Sequence, residues 1–189
     1  MIYDLKEKCE IKDKLKNHDL FLADLDFTIA EPNLMKMAKS IYTFYRKPEI
    51  VHNIYPGLKS FLDVIKSEKI IITGNIPYFV RPIAKVLGIS KIYYGDHIPD
   101  QLRPFFPNSK YGQIIDSIIS TCAYKRVIFA GNSPNKDEGI LEKIRSKKTD
   151  GIIESVLGIW VASEKKINKK FDINILDRDW SELTSLLTN

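Results

Sequence analysis

The stretch from 21 to 28, Phe-Leu-Ala-Asp-Leu-Asp-Phe-Thr, constrains this chain more than any other. A short apolar run stops abruptly at two carboxylates, Asp24 and Asp26, with one residue between them. Phe21 and Leu22 suit a strand buried on both faces of a parallel sheet. In an extended chain, residues two apart project to the same side, which places Asp24 and Asp26 together. Two like charges that close call for a cation or a shared proton. An Asp after a strand can also be an ordinary turn residue. Further apolar runs end in polar residues in the same way. Residues 69–75 read Lys-Ile-Ile-Ile-Thr-Gly-Asn, and Val127-Ile-Phe-Ala-Gly131 runs into Asn132.

Segments with helical spacing separate these runs. Ile2, Leu5, Ile11 and Leu15 fit a modest surface helix over 1–17, ahead of a first strand at 19–23. Leu34, Met37, Ala38, Ile41, Tyr42 and Tyr45 form the apolar face of a helix that Pro48 stops. That segment lies within an insert spanning roughly 31–55. A helix with Leu58, Phe61, Leu62 and Ile65 inward precedes the second strand, at 69–75. Residues 77–87 form another helix, with Pro82 inside and Gly88 at its end. A third strand is expected at 91–94, followed by Gly95-Asp96-His97. Asn108 or Ser109 then caps a helix that turns Ile114, Ile115, Ile118 and Ile119 inward. The fourth strand is 127–131, with a helix to Arg145, short strands at 157–161 and 172–176, and a closing helix at 180–187. This alternation predicts an α/β fold: a Rossmann-like three-layer sandwich with a mainly parallel central sheet, as one domain over 1–189. Asp24, Thr73 and Asn132 fall where strands end, which is where open α/β sheets bind ligands.

Asp24-Leu25-Asp26-Phe27-Thr28 resembles motif I, Asp-x-Asp-x-Thr, of the haloacid dehalogenase-like superfamily in its phosphatase branch. The resemblance implies that Asp24 is a nucleophile on phosphorus and Asp26 a general acid/base. The dehalogenases lack the second Asp, so Asp26 argues for phosphate chemistry. The resemblance also implies that the insert over roughly 31–55 is a small helical cap. Thr73 resembles motif II, which implies a hydroxyl bound to the phosphoryl group. Gly74 and Asn75 would offer backbone N–H groups, and Thr28 completes the substrate-binding set. Lys110 resembles the motif III cation, with Arg103 as the alternative. Residues 131–138 resemble motif IV, a Gly-Asp followed four or five positions later by a second acid. Here Asn132 stands in place of the first acid and Asp137 is kept. The resemblance implies Mg²⁺, held by the Asp24 carboxylate, the Asp26 carbonyl and Asn132, supported by Asp137.

The chemistry is sensible without the resemblance. A carboxylate can form an aspartyl-phosphate and divide one hard displacement into two easier ones. A second carboxyl can protonate the leaving oxygen and then activate water. This points to a Mg²⁺-dependent phosphatase acting on a small phosphorylated substrate. Two other readings use the same residues: a phosphotransferase, and a non-catalytic descendant that binds a phosphorylated ligand or protein, which Asn132 motivates. The net charge of +5 favours anionic ligands but is too diffuse to argue for nucleic acid, and no nucleic-acid motif is present. His18, His52 and His97 lack zinc-like spacing, and Cys9 and Cys122 read as small buried hydrophobes in a reducing cytoplasm. No apolar stretch is long enough for a membrane span. Oligomeric state stays open, a homodimer included.

Overall fold

The computed structural model describes residues 5–42, 50–75, 77–94, 110–122, 124–162 and 167–188. Helix α1 (Leu5–Lys16) leads into strand β1 (Leu20–Asp24). The insert follows as β2 (Ala30–Pro32), α2 (Leu34–Tyr42) and β3 (His52–Ile54). Next come α3 (Leu58–Val64), β4 (Glu68–Thr73), α4 (Pro77–Val86) and β5 (Lys91–Tyr94). The chain closes with α5 (Lys110–Cys122), β6 (Arg126–Gly131), α6 (Lys136–Thr149), β7 (Ser155–Val161), β8 (Ile173–Ile175) and α7 (Ser181–Thr188).

Six strands form one sheet in the order β5-β4-β1-β6-β7-β8, and every pairing is parallel. Leu22 of β1 lies opposite Ile70 of β4 and Phe129 of β6. The period of two sorts the strand residues into two cores. Phe21, Ala23, Ile71 and Ile128 pack with α1, α3, α4 and α7. Leu20, Leu22, Ile70, Ile72 and Phe129 pack with α5 and α6. Helices therefore cover both faces, which explains why the strands read as continuous apolar runs. Phe21, Phe61 and Trp180 form an edge-and-tilt aromatic cluster with centroids 5.2–6.2 Å apart, tying β1 to α3 and to the residue before α7. Crossing from β1 to β4 on one side and to β6 on the other opens a crevice at the carboxyl end of β1.

Four local readings change. The insert is anchored by an antiparallel hairpin, β2–β3, with Ala30 opposite Ile54 and Pro32 opposite His52. Strands that short, one containing Pro32, carry no alternation to read. The apolar face expected of α2 is not buried where it is described: Leu34 is 72 % exposed, Ala38 is exposed and Met37 is half-buried. Cys9 is an exposed free thiol rather than a buried one. Helix α6 also runs on to Thr149, beyond the expected end at Arg145.

Candidate active site

Two elements put the first carboxylates in place. Asp24 is the last residue of β1 and only 3 % exposed. After it the chain turns back on itself. The Leu25 carbonyl accepts from the N–H groups of Thr28, Ile29 and Ala30, at 3.4, 3.1 and 3.2 Å. Phe27 sits inside this turn with φ of 60°, a left-handed conformation that costs a non-glycine residue energy. Arg178, itself left-handed at φ 56°, places its guanidinium 5.2 Å from the Phe27 ring and 5.2 Å from the Tyr55 ring. Strain in the turn is thus held from outside by a cation–π contact.

From β6 comes the next part. Asp137, in the first turn of α6, is fully buried. Its Oδ2 accepts from the backbone N–H groups of Asn132 and Ser133, both at 2.8 Å. Gly131 is required here, because a Cβ at that position would lie 2.5 Å from the Asp137 Cβ. Lys136 folds back over the same site. Its Nζ lies 2.7 Å from Asp24 Oδ1 and 3.5 Å from Asp137 Oδ1. Burial pushes the Asp24 carboxyl up to about 7, against the pull of the Lys136 ammonium and with the nearby Asp137 charge adding to the rise.

Asp26 is served from two other directions. The His52 ring Nε2 lies 3.0 Å from Asp26 Oδ1. The Asn75 Nδ2 lies 3.4 and 3.3 Å from its Oδ1 and Oδ2. Asn75 also donates its backbone N–H to Thr73 Oγ1 at 3.0 Å. The buried Thr73 hydroxyl thereby accepts one bond and keeps its own hydrogen to donate. Ends of β1, β4 and β6, and the start of β3, meet around two carboxylates.

Solved structures carry the same arrangement of strands and helices. A phospho-aspartyl intermediate analogue of phosphoserine phosphatase superposes with a TM-score of 0.58 at 15 % identity, over 90 % of this chain and 99 % of that one. The 3-deoxy-D-manno-octulosonate 8-phosphate phosphatase of Yersinia pestis gives 0.54 at 14 % identity, over 94 % and 84 %. This chain has the haloacid dehalogenase-like fold. The catalytic domain of the CPx-ATPase CopB-B gives 0.57 at 15 % identity, over 99 % and 100 %, so the likeness extends across different reactions and speaks for the fold alone. No family model matches the sequence, and no curated protein matches it.

Within this haloacid dehalogenase-like fold the expected residues divide. Asp24, Asp26, Thr73, Asn75, Asn132 and Asp137 lie at the strand ends of one crevice, and Gly74 follows β4 there. Thr28 is fully buried, and its hydroxyl has no hydrogen-bond partner among the described residues. Lys110 opens α5, and its side chain lies outside the described residues, as do Arg103, Asp96 and His97. The cation the structure places on Asp24 is Lys136, next to the acid of motif IV. Sequence reading passed over it because a Lys in a loop rich in polar residues looks solvated. The signal was its place immediately before Asp137. His52 was missed for a different reason. Nothing in sequence brings residue 52 to residue 26 until the β2–β3 hairpin is known.

Proposed function

We propose that this protein is a phosphomonoester hydrolase that works through an aspartyl-phosphate on Asp24, with Asp26 as general acid/base, acting on a small phosphorylated substrate in the cytoplasm. One observation supports it above all: a buried carboxylate at the crevice of the sheet, one oxygen engaged by an ammonium at 2.7 Å, with a second carboxylate two positions on. With Oδ1 held by Lys136, the other Asp24 oxygen attacks phosphorus. The P–O bond to the leaving group breaks, and Asp26 gives its proton to the departing oxygen. Asp26 then takes a proton from water, whose oxygen attacks the phosphorus. The bond to Asp24 breaks and inorganic phosphate leaves. Lys136 and the Thr73 hydroxyl offset negative charge on the phosphoryl oxygens in both steps. Lys136 takes the role the sequence suggested for Lys110.

A divalent cation fits the donor set. Asp24 and Asp137 share the Lys136 ammonium, Asp26 follows two residues after Asp24, and Asp137 Oδ1 is a buried oxygen without a hydrogen-bond partner among the described residues. Among the described residues no cluster of three His, Cys, Asp or Glu forms, so the Asp26 carbonyl and the Asn132 amide oxygen would have to complete the set. That suits Mg²⁺, which accepts hard oxygen donors and keeps several waters. Asp24, the Asp26 carbonyl and Asn132 would hold it, with Asp137 in support. When bound it supplies positive charge beside the phosphoryl oxygens. Asn132 brings an oxygen without charge, and this favours the second reading, a non-catalytic phospho-ligand binder. Phosphate release from an aryl phosphate with Mg²⁺, stopped by EDTA, is the expected result. Binding of phosphorylated ligands with no release from any ester would hand the site to the second reading.

A further inference from the structure

We propose that His52 is the positioning residue of the acid/base, locking the Asp26 carboxylate into the orientation from which it protonates a leaving alkoxide. The inference rests on the phosphatase reading above. His52 begins β3, in the insert, on none of the elements that carry Asp24, Thr73 or Asp137. Its side chain is fully shut from solvent, and Nε2 meets Asp26 Oδ1 at 3.0 Å. With Nε2 as the protonated ring nitrogen, its N–H donates to Oδ1, which leaves Oδ2 as the oxygen that carries the transferable proton. The other ring nitrogen, Nδ1, is buried without a partner. A buried polar atom left unpaired is unfavourable, and an apolar ring at this place would avoid the cost. The bond to Asp26 is therefore what the imidazole contributes that packing does not.

The second donor comes from a different element, further along the chain. Asn75, just past β4, reaches both Asp26 oxygens with Nδ2, at 3.4 and 3.3 Å. Rotation of an Asp carboxylate about its last torsion is broad and weakly restrained. Two donors on separate elements remove that freedom. Proton transfer demands it, because an acid out of hydrogen-bond reach of the leaving oxygen does nothing. The effect is selective. An aliphatic alkoxide leaves only if it is protonated, whereas a nitrophenolate leaves well without a proton. Loss of the His52 contact should therefore weaken the first step, read as kcat/KM, for alkyl phosphates and spare it for nitrophenyl phosphate, whereas the second step, where Asp26 activates water, is common to both.

The test compares glycerol phosphate with p-nitrophenyl phosphate, with Mg²⁺ present, for wild type, His52→Leu and His52→Gln. Leucine fills the space without a donor, and glutamine restores one. For His52→Leu we expect kcat/KM, which reports only the steps up to departure of the leaving group, to fall about 10- to 100-fold on glycerol phosphate, the scale of a misplaced catalytic group. On p-nitrophenyl phosphate the fall in kcat/KM should stay within about threefold. His52→Gln should recover most of the loss. If His52→Leu fails to fold, His52→Met replaces it, equally without a donor and more adaptable in a core. Equal losses on the two esters, or no loss on either, overturn the proposal while the phosphatase reading stands. A wild-type protein inert on both esters overturns that reading and this inference with it.

Discussion

Asp19 and Asp24 bracket the same strand, and the structure treats them in opposite ways. Asp19 precedes β1 at the sheet's far end, with its side chain a third exposed. It accepts the backbone N–H groups of Lys125 and Arg126, at 3.0 and 2.9 Å, and meets the Arg126 guanidinium at 3.3 Å. Slight burial works against it, but these donors outweigh burial and hold its carboxyl below the usual range. Asp24 sits at the other end, nearly out of reach of water, with Lys136 as its charge partner, and burial drives its carboxyl to about 7. The base of the sheet shows the same pattern again at Glu68, whose bonds from Lys91 and Tyr124 keep its carboxyl low. A carboxylate given several donors is quiet and structural. One that is buried, with its charge incompletely matched, is held ready to react.

Removing Asp24 should break this contrast most completely. Asp24→Asn keeps shape and loses the proposed nucleophile, so phosphate release should drop by at least about 10³-fold. Stability should move the other way. Without metal, the folded state keeps the Asp24 proton up to about pH 7, while the unfolded chain releases it near 3.8. The native state thus binds more protons across that window, and its stability declines as pH rises through it. Asparagine removes the decline. Melting in EDTA should show the variant gaining on wild type between pH 5 and pH 8. A constant difference across that range would mean that Asp24 is not strained by burial.

Lys136→Met comes next in size. It takes away the ammonium that holds Asp24 Oδ1 and neighbours Asp137. Loss of one electrostatic stabiliser of this kind costs about 10²- to 10³-fold in turnover. Lys136 also lowers the Asp24 pKa, so without it that carboxyl should rise further. The acid limb of the pH–rate profile should accordingly shift to higher pH, and Lys136→Arg should restore part of both losses. If Lys136→Met turns over normally and Lys110→Met does not, the cation belongs to α5.

What the sequence shows and hides follows the same physical division. The strands carrying Asp24, Thr73 and Gly131 were legible, because a strand buried on both faces must be apolar throughout and must end where polar residues begin. The parallel α/β arrangement followed from their alternation with helical spacing. The β2–β3 hairpin was not legible, since strands of that length leave too few residues to show a period. With the hairpin hidden, the His52–Asp26 contact was hidden too. Lys136 was visible as a residue but not as a partner, because direction of a side chain off the first turn of a helix depends on where that helix starts. Motif order located the crevice. Only the fold shows which donors fill it.

Asp19→Asn is the smallest change and the sharpest control. An amide keeps one oxygen that can accept from Lys125 and Arg126, but it loses the charge. Hydrogen bonds to a charged acceptor exceed neutral ones modestly, so the loss should be about 1 kcal/mol. The Arg126 ion pair adds little, since both side chains are well exposed. Turnover should not change, because Asp19 lies across the sheet from the crevice. The pH dependence identifies the cause. Asp19 has its carboxyl lowered in the folded state, so its contribution is present above about 3.8, the unfolded value, and is lost as pH falls through the folded one. Urea midpoints of wild type and variant should therefore differ at pH 7 and converge as pH falls below 3.8 and through the lowered folded value. Were the gap to stay constant over that descent, the effect would lie in geometry rather than charge, and the two ends of β1 would be less different than their electrostatics indicate.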